Sequence, residues 1–532
     1  MLNRFSVGKA TLLTLAISAT SAQAAQTLIY CSEGSPEGFD AARYTAGTTF
    51  DASAETVYNR LVEFERGGTK VIPGLAESWE TSADGLTYTF NLRKGVKFHT
   101  TDFFKPTRDF NADDVLFSFE RMLNKEHPFT KASPAEYPYF IDMGMDANMA
   151  KIEKTGDYTV RIVLNNVDAA FVANMAMAFA SILSAEYADQ LLKAGTAEKI
   201  NTQPVGTGPF LFKRYDKDAQ IRFAAHPDYF RGKEQIDNLI FAITTDSAVR
   251  AQKLKAGECH VSVYPKPTEV ESLKQDPKIR ILQQNGLNVG YVAYNVLKAP
   301  FDKLEVRKAL NHATNKQAIV DAVYQGAGEV AKNPIPPAMW SYNNAIVDDE
   351  YNPEKAKELL AKAGFPDGFA TDLWALPVQR PYMLDGRKAA EMIQADWAKV
   401  GVKATIVSYE WGEYLERSRN GEHQAVMLGW TGDNGDPDNF LGTLLSCDAV
   451  KGGNNRAFWC DKAFSKLTTD AKQTTDLAAR TKMYEEAQVV FKQEAPWIPL
   501  AHSVVYQPMQ ENVQNFLMSP FGLNSFYGVS IK

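Results

Sequence analysis

The sequence predicts an α/β protein of at least two domains, and three observations carry that expectation. Between residues 370 and 430, strand-like and helix-like stretches alternate in β-α-β-α-β order, which implies parallel strands joined by right-handed crossovers. A chain of 532 residues is longer than one hydrophobic core usually organises. A hydrophobic fraction of 45%, with 11% aromatics, supplies the core material for a globular protein of that size.

Taken from its start, the chain opens with a basic beginning (Arg4, Lys9), an apolar run from Ala10 to Ile17, and Ala22-Gln23-Ala24 as a small-x-small cleavage site. That pattern predicts an export signal over 1–24. Cys31 follows Leu-Ile-Tyr and not a run of small residues behind the apolar core, which argues against a lipid-anchored amino terminus. No later stretch reaches the roughly 18 apolar residues of a membrane span. The expectation is a soluble periplasmic protein. Its net charge is −7, and loss of a leader with two basic and no acidic residues makes it more negative. Nucleic acid and anionic membranes are therefore poor partners.

Four cysteines in an exported chain predict two disulfides, with three pairings open. A local Cys447–Cys460 bridge around a Gly- and Asn-containing loop is the simplest choice, leaving Cys31 with Cys259. The latter bridge implies that the segment between leaves the first domain and returns to it. There is no C-x-x-C pair and the seven His are scattered, so neither a metal site nor thiol redox chemistry is expected.

A strand over Thr27 to Cys31 leads into a loop rich in Gly and small polar residues. Within that loop, Ala46-Gly47-Thr48-Thr49 reads equally as an extended edge able to pair with a ligand backbone or as an ordinary surface loop. Gly85 to Leu92 alternates as a strand does. Asn111 caps a helix with Asp113 and Asp114 in its first turn and Val115, Leu116, Phe119, Met122 and Leu123 on its buried side. Glu126 to Met149, rich in Pro, Tyr and Met without a period, reads as loop, and Pro204 to Phe210 as a turn. Asp302 and Glu305 form a capping-box pattern before a helix that turns Val306, Ala309, Leu310 and Ala313 inward. Asn315 opens a second helix ending at Gly326. Asn352 and Pro353 open a third, with Leu359 and Leu360 buried and Gly364 past its end.

The β-α-β-α-β stretch comprises strand 370–377, helix 386–399, strand 402–408, helix 410–419 and strand 424–430. Ligands of open parallel sheets bind outside the carboxyl ends of the strands. Two charges of opposite sign lie there, Arg380 after the first strand and Asp433 after the third. Gly429 and Gly432 near the end of the third strand remove side-chain bulk, so another extended backbone could approach. The run Asp433 to Asp438 is also ordinary turn chemistry, and Arg380 could equally be a structural ion pair. A calcium loop does not fit, because the register opening at Asn434 places Asn439 where Gly is required and Leu445 where Glu is required. Read together, the two charges form a ruler. Arg380 suits a carboxylate through its planar fork, Asp433 suits an ammonium, and a two-residue zwitterion spans at most about 7 Å of backbone.

Five stretches carry a resemblance: YCSEGSPEGFD from Tyr30, NVGYVAYN near 290, PIPPAMW near 337, PVQRPY around Arg380 and GWTGDNGDPDNF around Asp433. Together they resemble the periplasmic dipeptide-binding proteins of bacterial ABC importers, within the large peptide- and nickel-type (family 5) solute-binding proteins. Agreement is looser over 130–149 and 450–457. The resemblance implies a two-lobed periplasmic binding protein fold (type II, large cluster C form) with an extra subdomain in the first lobe. Lobe I would comprise 25–55, 186–285 and 504–532, the subdomain 56–185, and lobe II 286–503. It further implies that Asp433 receives the ligand ammonium and Arg380 its carboxylate. Backbone pairing would fall to Gly47 and Thr48 on one side and Gly429, Trp430 and Thr431 on the other. A monomer delivering dipeptides to a membrane permease, without cofactor, is the expected partner set. Haem, glutathione, an aminolevulinate-like amino acid or longer peptides are the alternative cargoes on the same fold. A secreted hydrolase is the distant alternative, for there is no G-x-S-x-G, S-x-x-K or H-E-x-x-H.

Overall fold

The computed structural model describes residues 25–532. The expected export signal over 1–24 lies outside them. One strand, Trp497–Gln510, is long enough to run through both halves of the molecule and organises the large sheet. Its first part pairs antiparallel with Asn288–Tyr294 and its second part with Ile279–Asn285. The chain therefore passes between halves twice at one level, at Gly286 and at Ser503. Gly286 N–H donates to the Ser503 carbonyl at 2.8 Å, while Ser503 N–H donates to Asn288 Oδ1 at 3.0 Å. A Cβ at Gly286 would stand 2.6 Å from the Ser503 carbonyl oxygen, so only glycine lets the two crossings lie this close.

In the first half, Thr27–Ser32 runs parallel to both Asn238–Ile243 and Val261–Ser262, and the sheet continues antiparallel through Gln220–Ala225 to Phe210–Asp216. Cys31 and Cys259 sit as a disulfide with Cα atoms 5.8 Å apart, and Cys447 and Cys460 as a second at 4.5 Å. A separate antiparallel sheet forms from Ala76–Thr81, Thr87–Leu92, Thr159–Leu164 and Met149–Gly156. The helix Ala112–Leu123 packs beside it, capped by Asn111, whose side chain accepts from Asp113 N–H at 2.9 Å. Val115, Phe119 and Met122 are buried as the helical period requires, and Leu116 and Leu123 pack against them.

The second half contains the parallel unit. Ala370–Trp374 pairs parallel with Lys403–Val407 on one side and, through Leu373 and Trp374, with Ala425–Thr431 on the other. Helices Gly386–Ala398 and Trp411–Arg419 make the crossovers, with Asp385 and Glu410 as side-chain caps. Trp397 is fully buried between helix and sheet.

Four local expectations are corrected. Gly47–Ala52 is a helix and not an extended edge, because Thr49 and Phe50 N–H both return to the Ala46 carbonyl and Phe50 is buried. The stretch 126–149 holds three short helices, Pro128–Ala132, Pro138–Asp142 and Met145–Asn148, two of them begun by a proline whose fixed φ suits a first helical turn. The helix after residue 302 starts at Leu304 with Lys303 at its cap and no side-chain bond, so Asp302 lies one residue too early to form the box. The strand from Ala370 ends at Trp374, since Ala375 N–H still reaches Val407 but Pro377 has no N–H to continue the ladder.

Candidate ligand-binding site

Arg380 is held by a tight turn. Its N–H and carbonyl exchange 3.0 Å bonds with Met383, and the intervening Pro381 carbonyl accepts the Ser503 hydroxyl at the chain crossing. The guanidinium is buried, lies over the rings of Tyr264 and Trp411 at 5.7 and 5.6 Å, and is ion-paired with Glu33 from the other half. Burial opposes its charge, but Glu33 together with Tyr382, Tyr264 and Asp51 outweighs that cost and keeps Arg380 firmly protonated. The structural ion pair weighed for this residue is thus present. A Cβ on Gly47 would meet Arg380 Nη2 at 2.9 Å, so the helix start that replaces the expected strand edge lets the guanidinium approach the cavity wall.

Asp433 is fixed by Asn439, whose Oδ1 accepts from Asp433 N–H at 2.8 Å and from Trp430 Nε1 at 3.0 Å. Turn chemistry explains the neighbouring acids: Asp436 pairs with Arg480 at 2.7 Å and Asp438 with Lys472 at 3.3 Å. Asp433 differs, since its carboxylate is met by the Tyr139 hydroxyl, which donates at 2.5 Å, and by no cation among the described residues. Burial without a positive neighbour pushes its carboxyl up to about 7.

Between these two residues runs an open strand edge. Ala425–Thr431 is paired along its whole length with Asn288–Tyr294, but on its other edge only Ala425 and Val426 are paired. Leu428 to Thr431 therefore border a cavity of about 70 Å³ whose wall also includes Gly47, Arg380 and Asp433. Phe50, Tyr139 and Asp433 border a second, larger chamber of about 490 Å³ as well, so the two adjoin at the Asp433 end. Thr48 is buried with its hydroxyl unbonded and is not among the residues of this wall. Gly429 is corrected in its reason: the space where its Cβ would stand is taken by the Tyr382 ring at 2.2 Å, not kept for an incoming backbone. Gly432 likewise makes room for Phe440.

Tyr139 and Arg456, both on the cavity wall, were missed by sequence reasoning. Tyr139 sits in the stretch read as loop, and Pro138 at the head of its helix was the one available signal. The cleft is shut by contacts from both halves. Besides Glu33–Arg380, Arg250 donates to Gln379 at 2.5 Å and Asn434 to Asn174 at 2.7 Å. No group of three or more His, Cys, Asp or Glu among the described residues could hold a metal. No helix among them is long and apolar enough to cross a membrane.

Two half-molecules joined by paired crossings, with opposite charges in the cleft between them, define a two-lobed solute-binding protein. The chain belongs to the bacterial extracellular solute-binding proteins, family 5, whose model matches residues 70–452. It is 62% identical over 522 residues to di/tripeptide-binding protein 1 of Pseudomonas aeruginosa (strain UCBPP-PA14), covering 98% of this chain and 97% of the relative. It is 54% identical over 535 residues to the dipeptide-binding protein of Escherichia coli (strain K12), covering 99% and 100%. A solved dipeptide binding protein from Pseudoalteromonas sp. SM9913 in complex with Met-Leu superposes with a TM-score of 0.93 at 39% identity, over 95% of this chain and all of that one.

Proposed function

We propose that this chain is the substrate-binding component of an ABC importer, which captures dipeptides in the periplasm by closing two lobes around them and passes them to a membrane permease. The observation that carries the reading is one cavity with a guanidinium and a cation-free carboxylate on its wall and an unpaired strand edge beside them. A zwitterionic dipeptide offers a carboxylate for Arg380, an ammonium for Asp433 and a backbone for Leu428 to Thr431. The names of the relatives and of the solved neighbour support the same cargo.

In this reading the lobes are 25–55 with 186–285 and 504–532, and 286–503, with 56–185 as the added subdomain. Gly286 and Ser503 are the hinges. Hinge closure around a ligand is the behaviour for which periplasmic binding proteins are themselves a standard example. Contacts from both halves shut this cavity, so the walls must part to admit a dipeptide. A ligand that makes contacts only in the closed form shifts the population toward it. The protein acts as a monomer that is exported by its leader and catalyses nothing.

A thermal-shift series tests the reading. At one hundred times its dissociation constant a ligand adds about 2.7 kcal/mol to stability. Dipeptides stabilise the protein more than tripeptides do, and free amino acids and N-acetylated dipeptides do not. Equal stabilisation by free and acetylated forms overturns the reading.

A further inference from the structure

Arg456 is the second guanidinium on the wall of the small cavity, and nothing in the charge ruler uses it. It is only 3% exposed, yet its Nε and Nη1 have no hydrogen-bond partner and it forms no ion pair within 4.0 Å among the described residues. Arg380, on the same wall, has Glu33 against it.

The unpaired state of Arg456 is built in by its loop. The Cys447–Cys460 disulfide closes that loop. Asn455 ties it internally by donating to the Ser446 and Trp459 carbonyls at 3.2 and 2.7 Å. The Arg456 carbonyl bonds to His423 Nε2 at 2.8 Å, which fixes the backbone on the sheet side. The side chain is thus held at the cavity wall, which Tyr291 and Tyr382 also line. Among the groups acting on its charge are the carboxyls of Asp142 and Glu37. Burial raises both, Glu37 to about 7, so they compensate the cation poorly. Arg456 itself falls to about 10 through burial and the neighbouring Arg419. A buried guanidinium without a partner is costly, and a carboxylate offering two oxygens to its fork is the group that relieves the cost.

The termini of a dipeptide are spoken for by Arg380 and Asp433. The carboxylate that could reach Arg456 must then come from a side chain. We infer that Arg456 is a specificity-determining residue that makes this protein favour dipeptides carrying Asp or Glu, an inference that rests on the dipeptide-binding reading above.

The test is calorimetry with Ala-Ala, Ala-Glu, Glu-Ala and their neutral counterparts Ala-Gln and Gln-Ala. The expected result is that at least one acidic peptide binds about tenfold or more tightly than its Gln counterpart, because one good charge-assisted pair is worth at least that much. Arg456→Gln is expected to bring the ratio within about threefold of unity, and Arg456→Lys to keep part of it as a point charge without the fork. Thermal unfolding verifies that each variant is folded; where Arg456→Gln is not, the wild-type ratio and Arg456→Lys decide. Equal affinity for Glu and Gln peptides at both positions overturns the inference, as does an acidic preference that survives Arg456→Gln. In either case Ala-Ala binding to the wild type leaves the dipeptide reading standing, whereas failure of all five peptides removes both.

Discussion

Glu33 and Arg380 form a buried ion pair across the cleft, although they lie 347 residues apart in the chain. Glu33 comes from the loop after the first strand and Arg380 from the turn beyond the strand Ala370–Trp374 in the other half. The pair therefore forms only when the halves close. A ligand carboxylate arriving at Arg380 must share the guanidinium with Glu33, and one Glu33 oxygen is left without a hydrogen-bond partner.

That sharing makes Glu33→Gln informative. Removing one of two like charges around the same cation relieves repulsion in the bound state while keeping the side chain's size. The variant is expected to bind dipeptides roughly fivefold more tightly, about 1 kcal/mol by calorimetry. Weaker binding than wild type would show that Glu33 positions Arg380 more than it competes with the ligand.

Arg380→Ala acts in the opposite direction on two readouts. On the proposed reading the ligand carboxylate loses its partner, which is expected to cost about 2 to 5 kcal/mol in binding. Glu33 is left as an uncompensated buried charge, which costs roughly 3 to 5 kcal/mol of stability. A loss of affinity below about threefold in a folded variant would remove Arg380 from the site.

Asp433 gives the pH dependence its sign. Its carboxyl titrates near 7 in the closed protein, so the folded chain holds a proton there that the unfolded chain has lost. On its own, then, this group's contribution to stability declines as pH rises from about 4 to 7. On the proposed reading, ammonium binding at Asp433 needs the carboxylate and follows the opposite course. Dipeptide affinity is expected to climb up to about tenfold per pH unit toward 7 and to fall above roughly 8, where the peptide amine loses its proton. Calorimetry between about pH 5 and 9 measures both limbs, and Asp433→Asn flattens the acid one. An acid limb unchanged in that variant assigns it to another group.

Tyr139→Phe removes the hydroxyl that donates to Asp433 and so the main support of its charged form. The acid limb moves to higher pH, and affinity near neutrality drops by about 1.5 to 3 kcal/mol, the usual worth of a bond to a charged group. An unaltered pH profile would place Tyr139 outside the binding chemistry.

Replacing both Cys447 and Cys460 by Ser opens a bridge with a sequence separation of 13. For a loop of that size the expected loss is about 3 kcal/mol, read as a lower urea midpoint. Because the loop carries Arg456, any preference for acidic peptides should weaken with it.

Local sequence determined the parallel unit with its crossovers, the strand after the leader and the Asn caps of three helices, because side-chain period, Gly and Pro placement and Asx capping act within a few residues; the long strand Trp497–Gln510 was not legible in it. It also put Arg380 and Asp433 at the carboxyl ends of strands, which is where the cleft lies. Local rules could not say that Gly47 starts a helix, since that depends on Phe50 finding a buried place. Nor could they pair Arg380 with Glu33, bring Tyr139 onto Asp433 across 294 residues, or leave Arg456 unpartnered. Those outcomes belong to tertiary structure alone, because desolvation and charge pairing depend on which distant groups closure brings within a few ångströms.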